Sequence, residues 1–214
     1  GTLALVEFGG SNVDQGILRL FCDSIFIDET SSINGNGDGG QFGAGIGGYG
    51  SAGTGAGLYS GGGGGSFGGQ GGLGGGDMPG TGGSIYGTHD QLNRGSRGGA
   101  GYYATSIETG FGGGAIYVNA RSGNILGSIT SNGNNAGYQN DGGCGGGSGG
   151  MIWLDIEYLS LSGILSANGG NGSIKGQSYQ EYGGGGGGGG GRISINSKSF
   201  IDTGLLSVTG AAGA

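Results

Sequence analysis

The stretch Met151-Ile152-Trp153-Leu154-Asp155-Ile156-Glu157 decides the fold. Its period of two is that of a strand with one buried face, with Ile152, Leu154 and Ile156 pointing inward and Trp153, Asp155 and Glu157 outward. The chain continues through Leu159-Ser160-Leu161 to the turn Ser166-Ala167-Asn168-Gly169. The same plan occurs three more times. It begins at Leu18-Arg19-Leu20-Phe21-Cys22, at Ile116-Tyr117-Val118-Asn119-Ala120 and at Ile193-Ser194-Ile195-Asn196. Taking Leu18, Ile116, Ile152 and Ile193 as equivalent gives steps of 98, 36 and 41 residues, and the same steps separate Asn34, Asn132, Asn168 and Thr209. Two independent landmarks therefore set one register.

Nothing in the chain reads as a long amphipathic helix. A unit of three short strands cannot bury its own apolar side, so the units must stack and share a core. The expected fold is all-β, a parallel β-solenoid forming a single domain over residues 1–214. Its units lie near 18–115, 116–151, 152–192 and 193–214, with a long glycine-rich excursion at about 35–114. Asn-Gly pairs suit the corners because both residues tolerate positive φ.

Glycine supplies 68 of the 214 residues, with one proline and no strict Gly-X-Y repeat, which excludes collagen. The tracts abut the strands directly, as at Gly149-Gly150-Met151 and Gly191-Arg192-Ile193, so tract and strand alternate within the fold. In the first excursion the side chains recur at intervals of three: Ile46, Tyr49, Ala52, then Leu58, and again Phe67, Gln70, Leu73. A left-handed helix with three residues per turn places such residues on one edge and leaves two bare edges of glycine. The tracts are accordingly expected to pack as polyglycine II helices rather than to hang as linkers.

The net charge of −7 offers no basic footprint for nucleic acid, and no apolar run is long enough to span a membrane. A chain opening at Gly1 without methionine reads as processed or as a fragment. Cys22 and Cys144 are the two cysteines, open to a single disulfide or to two unpaired thiols. Asn171-Gly172-Ser173 is an N-glycosylation sequon, meaningful in a chain exported from a eukaryotic cell. Asn34-Gly35-Asn36-Gly37-Asp38-Gly39 alternates oxygen ligands with glycine but holds one charge, so turn chemistry accounts for it better than a metal does. No metal or other cofactor is expected. His89 has no identifiable nucleophile or orienting group beside it in sequence, and the chance GxGxxG matches do not lead from a strand into a helix, so no enzyme is expected.

The run Gly145-Gly146-Gly147-Ser148-Gly149-Gly150-Met151-Ile152, the turn Ser166-Ala167-Asn168-Gly169-Gly170-Asn171-Gly172, and residues 183–191 followed by Arg192-Ile193-Ser194-Ile195 resemble glycine-rich repeat segments of very large secreted or cell-surface proteins of plants and protists. The likeness covers roughly residues 112–214. It implies an extracellular structural or adhesive protein and carries no enzyme mechanism.

The register also makes a prediction about one face. The outward position held by Glu157 is Asp23, Arg121, Glu157 and Lys198 in successive units, a ladder of alternating sign. Opposite charges on strands about 4.8 Å apart attract. Earlier along the same face Tyr117 should lie beside Trp153. The expected function is a structural subunit of an extracellular filament or surface coat, self-associating head to tail, with residues 2–8 contributing to the joint. The alternative is an adhesin or carbohydrate-binding module on the same scaffold, with glycans as partners and with Tyr102, Tyr103, Tyr138, Tyr179 and Tyr182 beside the glycine segments.

Overall fold

The computed structural model describes residues 2–4, 16–39, 60–102, 108–137, 142–174 and 183–214. Ile46, Tyr49, Ala52, Leu58, Tyr103, Tyr138, Tyr179 and Tyr182 lie outside the described residues, as do residues 5–15. Every strand pairing is parallel, and among the described residues there is no α-helix. Among the described residues no helix is long and apolar enough to cross a membrane.

Among the described residues ten strands form two five-stranded sheets. The short-stranded sheet runs β1 (Thr2–Ala4), β3 (Ser32–Asn34), β5 (Ser128–Thr130), β7 (Ile164–Ser166) and β10 (Leu205–Ser207). The long-stranded sheet runs β2 (Ile17–Ile27), β4 (Ala115–Ile125) and β6 (Met151–Leu161), with β8 (Arg192–Asn196) and β9 (Ser199–Asp202) in line along β6. Leu18 pairs with Ile116, Ile116 with Ile152 and Ile152 with Ile193, so the three unequal intervals between copies leave the register unchanged. The strand β1 is an edge strand of its sheet, Leu3 pairing with Ile33.

The alternation in sequence becomes burial in space. Ile152, Leu154 and Ile156 are fully enclosed, with Ile116 and Val118 beside them. Ile129 and Leu165 of the short-stranded sheet complete one continuous core with them. Each such side chain removed from water contributes about 1.5–3 kcal/mol, and no single rung could bury it alone. The period of two slips once in each rung. Glu157 and Tyr158 both face outward before Leu159 and Leu161 turn in, and Arg121 and Ser122 do the same before Gly123 and Ile125. One extra outward residue bends the strand and aims neighbouring side chains apart.

The glycine tracts form a layer knit by backbone hydrogen bonds. Residues 183–191 sit within it, each buried. The amides of Gly185, Gly188 and Gly191 donate to Ser173, Gly170 and Ala167, while those of Gly186 and Gly189 donate to Gly62 and Gly65. The carbonyls of Gly183, Gly186 and Gly189 accept from Gly143, Gly146 and Gly149; those of Gly184, Gly187 and Gly190 accept from Gly75, Gly72 and Gly69. Ala214 and Ala211 donate to Gly185 and Gly188. Each set recurs every third residue and addresses a different neighbour. Buried backbone groups are thereby paired without side chains or a sheet ladder.

One detail differs from the sequence expectation. Phe67, Gln70 and Leu73 do not share an edge: Phe67 is fully buried, whereas Gln70 and Leu73 are exposed. The chain reverses beside Phe67, whose amide donates to Gly69, and the two arms then pair through Gly61 to Gly75 and Gly64 to Gly72. A three-residue interval cannot be extended through a reversal.

Candidate functional site

The outward face of the long-stranded sheet gathers the polar and aromatic side chains that the core excludes. Three rows cross it, each set by strand register. Nearest the starts of the strands stand Arg19, Tyr117, Trp153 and Ser194; two residues on come Phe21, Asn119, Asp155 and Asn196. Beyond them lie Asp23, Arg121, Glu157 and Lys198.

In this third row Arg121 Nη2 is 2.9 Å from Asp23 Oδ2, and Lys198 Nζ is 2.6 Å from Glu157 Oε1. The amide of Lys198 also donates to the Glu157 carbonyl, which fixes β8–β9 against β6 at that point. The Lys198 hydrogen bond holds the Glu157 carboxyl below its ordinary range, and Glu157 in turn raises the lysine. These pairs are exposed, so they order the face more than they stabilise the fold.

The middle row is built around Asp155. Its Oδ2 accepts from Asn119 Nδ2 at 3.0 Å and from the Tyr117 hydroxyl at 3.4 Å, and its Oδ1 accepts from Asn196 Nδ2 at 3.0 Å. One carboxylate thus bridges the amides of both neighbouring strands. Asn119, Arg121, Asp155, Glu157, Asn196 and Lys198 line an open pocket of about 440 Å³.

An aromatic cluster lies next to this pocket, where the Tyr117 hydroxyl reaches Asp155 of its lining. The rings of Tyr117 and Trp153 are 5.0 Å apart, and Phe21 meets Tyr117 edge-on at 5.7 Å with 70% of its surface exposed. Behind Trp153 the excursion at 60–97 closes over the sheet. Phe67 packs on Ala115 and Met151, Tyr86 stacks at 5.1 Å from Phe67, and Arg192 lies 5.2 Å over the Phe67 ring while donating to the Tyr86 carbonyl. Burial pushes the Tyr86 phenol up to about 12, so it stays protonated and donates to the Arg94 carbonyl. This packed wall holds Trp153 from one side.

The aromatic pair and two contacts of the charge ladder, Asp23–Arg121 and Glu157–Lys198, were visible in the sequence, whereas no ion pair joins Arg121 to Glu157. Phe21, Asn119 and Asn196 were missed, although the same steps of 98, 36 and 41 residues lead to all of them. The cysteines are not joined. Cys22 is exposed on β2, whereas Cys144 is buried in the glycine layer, where its amide donates to Ser173 Oγ at 2.7 Å and burial raises its thiol. Asn171 is exposed and its amide donates to Asn135 Oδ1. The Asn34–Asp38 turn closes on itself, the Asn36 amide donating to Asn34 Oδ1, and no cluster of metal-ligating side chains occurs among the described residues.

Comparison with protein-family models, with curated proteins and with solved structures gives no match for this chain.

Proposed function

We propose that the chain is a structural subunit of an extracellular filament or surface coat, in which a β-solenoid supplies stiffness and the glycine tracts run beside it as a polyglycine II bundle. Hydrogen bonds at every third residue, directed to several neighbours in turn, support the polyglycine reading, because a three-fold helix presents its amides in that sequence. Rungs that repeat in register along two sheets support the solenoid.

The observation that carries the function is the last rung. β10 pairs with β7 and β9 with β6, and neither has a partner on its other side among the described residues. Phe200, Ile201, Leu205, Leu206 and Val208 are exposed along this rim, Ile201 at 64%. Strands with free edges and apolar side chains template further strands unless something covers them. Subunits stacked end on would cover the rim and bring Lys198 toward the Asp23 end of the next copy, extending the alternation of charge.

Light scattering over a concentration series, with negative-stain images at the upper end, tests this. Long regular fibres or sheets are expected, and Ile201→Lys with Leu205→Lys should leave monomers of unchanged circular dichroism. A wild-type chain that stays monomeric throughout overturns the reading.

A further inference from the structure

We infer that the pocket on the outer face of the long-stranded sheet binds a neutral saccharide chain, an activity separate from assembly at the rim. Three observations converge on that ligand. First, aromatic and polar groups lie side by side. Tyr117, Trp153 and Phe21 form an apolar shelf, and Phe21 stands in one row with Asp155 and the amides of Asn119 and Asn196. A pyranose has the matching pattern, with C–H groups on its faces and hydroxyls at its edges, and stacks on an aromatic surface while its hydroxyls find polar partners.

Second, the pocket offers donors and acceptors together. Arg121 engages Asp23 through Nη2 and Lys198 engages Glu157, which leaves further N–H groups of both cations for acceptors. Glu157 uses Oε1 on Lys198, and its second oxygen can accept. A hydroxyl both donates and accepts, so it suits this mixture; a purely anionic or cationic ligand satisfies half of it.

Third, the charge balance favours an uncharged ligand. Arg19, Arg121 and Lys198 balance Asp23, Asp155 and Glu157, so this face carries no net charge, on a chain of net −7. It offers a sulfated or carboxylated sugar no cationic patch, and the net charge of the chain opposes one. The pocket is also open to solvent, so internal residues of a polymer can enter it.

Trp153 is the only tryptophan, so its fluorescence reports on this face directly. The test titrates the folded chain with oligomers of glucose, mannose, galactose and xylose, and separately with heparin, following tryptophan emission and confirming hits by calorimetry. At least one neutral oligomer should saturate the signal at millimolar concentration or below, with heparin giving none. Phe21→Ala and Asp155→Asn should each weaken that binding by about tenfold or more. Phe21 is exposed, so its loss reads on the ligand and not on the fold. Silence with all four neutral series, binding of heparin alone, or neutral binding untouched by both substitutions overturns the inference, whether or not the subunits assemble.

Discussion

Gly185 lies so close to the carbonyl of Cys144 that a Cβ added to it would come within 1.8 Å of that oxygen. Gly188 stands in the same relation to Gly147, at 2.0 Å. Neither is among the glycines with positive φ, namely Gly16, Gly37, Gly76 and Gly87. The tract glycines are required for the missing side chain and not for an unusual backbone.

Substitution should therefore divide the glycines sharply. Gly185→Ala or Gly188→Ala must push two backbones apart and should cost about 3 kcal/mol or more, as overpacking of a closed site does. At Gly210 the nearest atom to an added Cβ is 3.6 Å away, so Gly210→Ala should be neutral or stabilise by about 0.4–1 kcal/mol through the unfolded chain. Urea unfolding of the three variants measures the split.

The turns carry an amide ladder whose loss should be felt locally. Asn132 donates its amide to Asn36 Oδ1, and its own Oδ1 accepts from the Asn168 amide at 2.7 Å and from Ser166 Oγ at 2.6 Å. Asn168 Oδ1 repeats this for Thr209 and Ser207. Asn132→Ala strands the Asn168 amide and should cost about 1–3 kcal/mol. Hydrogen exchange should rise first at Asn168 and the flanking tract.

Acid should loosen the outer face before alkali does. The Glu157 carboxyl lies below its ordinary 4.5, so its contribution is present above that pH and fades as pH falls through the lowered value. Lys198 lies above its ordinary 10.5, so its contribution is complete below that pH and fades only as pH rises through the raised value. The difference in melting temperature between wild type and Glu157→Gln should be constant from about pH 5 to 10 and shrink below about pH 4.

Thiol titration should count one reactive cysteine in the folded chain and two after denaturation. Cys22 is exposed, and Cys144 is enclosed with its thiol raised by burial. A count of zero both in the folded chain and after denaturation without reductant would establish the disulfide instead.

Expression in a secreting eukaryotic host should yield a glycan at Asn171, removable by glycosidase and absent from Asn171→Gln on intact mass. The Ser173 hydroxyl of the same sequon is buried against Cys144, so the modification must precede closure of the glycine layer.

The strand register was legible because Leu18, Ile116, Ile152 and Ile193 repeat in step with Asn34, Asn132, Asn168 and Thr209, and burial follows from that alternation. The two rows carrying the charge ladder and the aromatic pair came with it. Asn119 and Asn196 escaped because an asparagine on a strand carries no charge pattern; its partner, Asp155, becomes apparent only across strands. The bend at Glu157–Tyr158 escaped because an extra outward residue looks the same in sequence as a loop. Least legible was the layer at 183–191, where every letter is glycine. Its neighbours are selected by backbone hydrogen bonds, which no side chain announces, and the reversal at Phe67 follows from the same bonds.

Those bonds also impose a counting rule on the gene. In a tract where each third amide serves the same neighbour, deleting one glycine from 183–191 redirects every later amide to the wrong chain, whereas deleting three removes one whole repeat of the hydrogen-bond pattern and restores it. Strands tolerate changes in twos. Viable length variants of this protein should therefore differ by multiples of three in the buried tracts, a constraint imposed by the folded backbone beyond the three-nucleotide frame of the code.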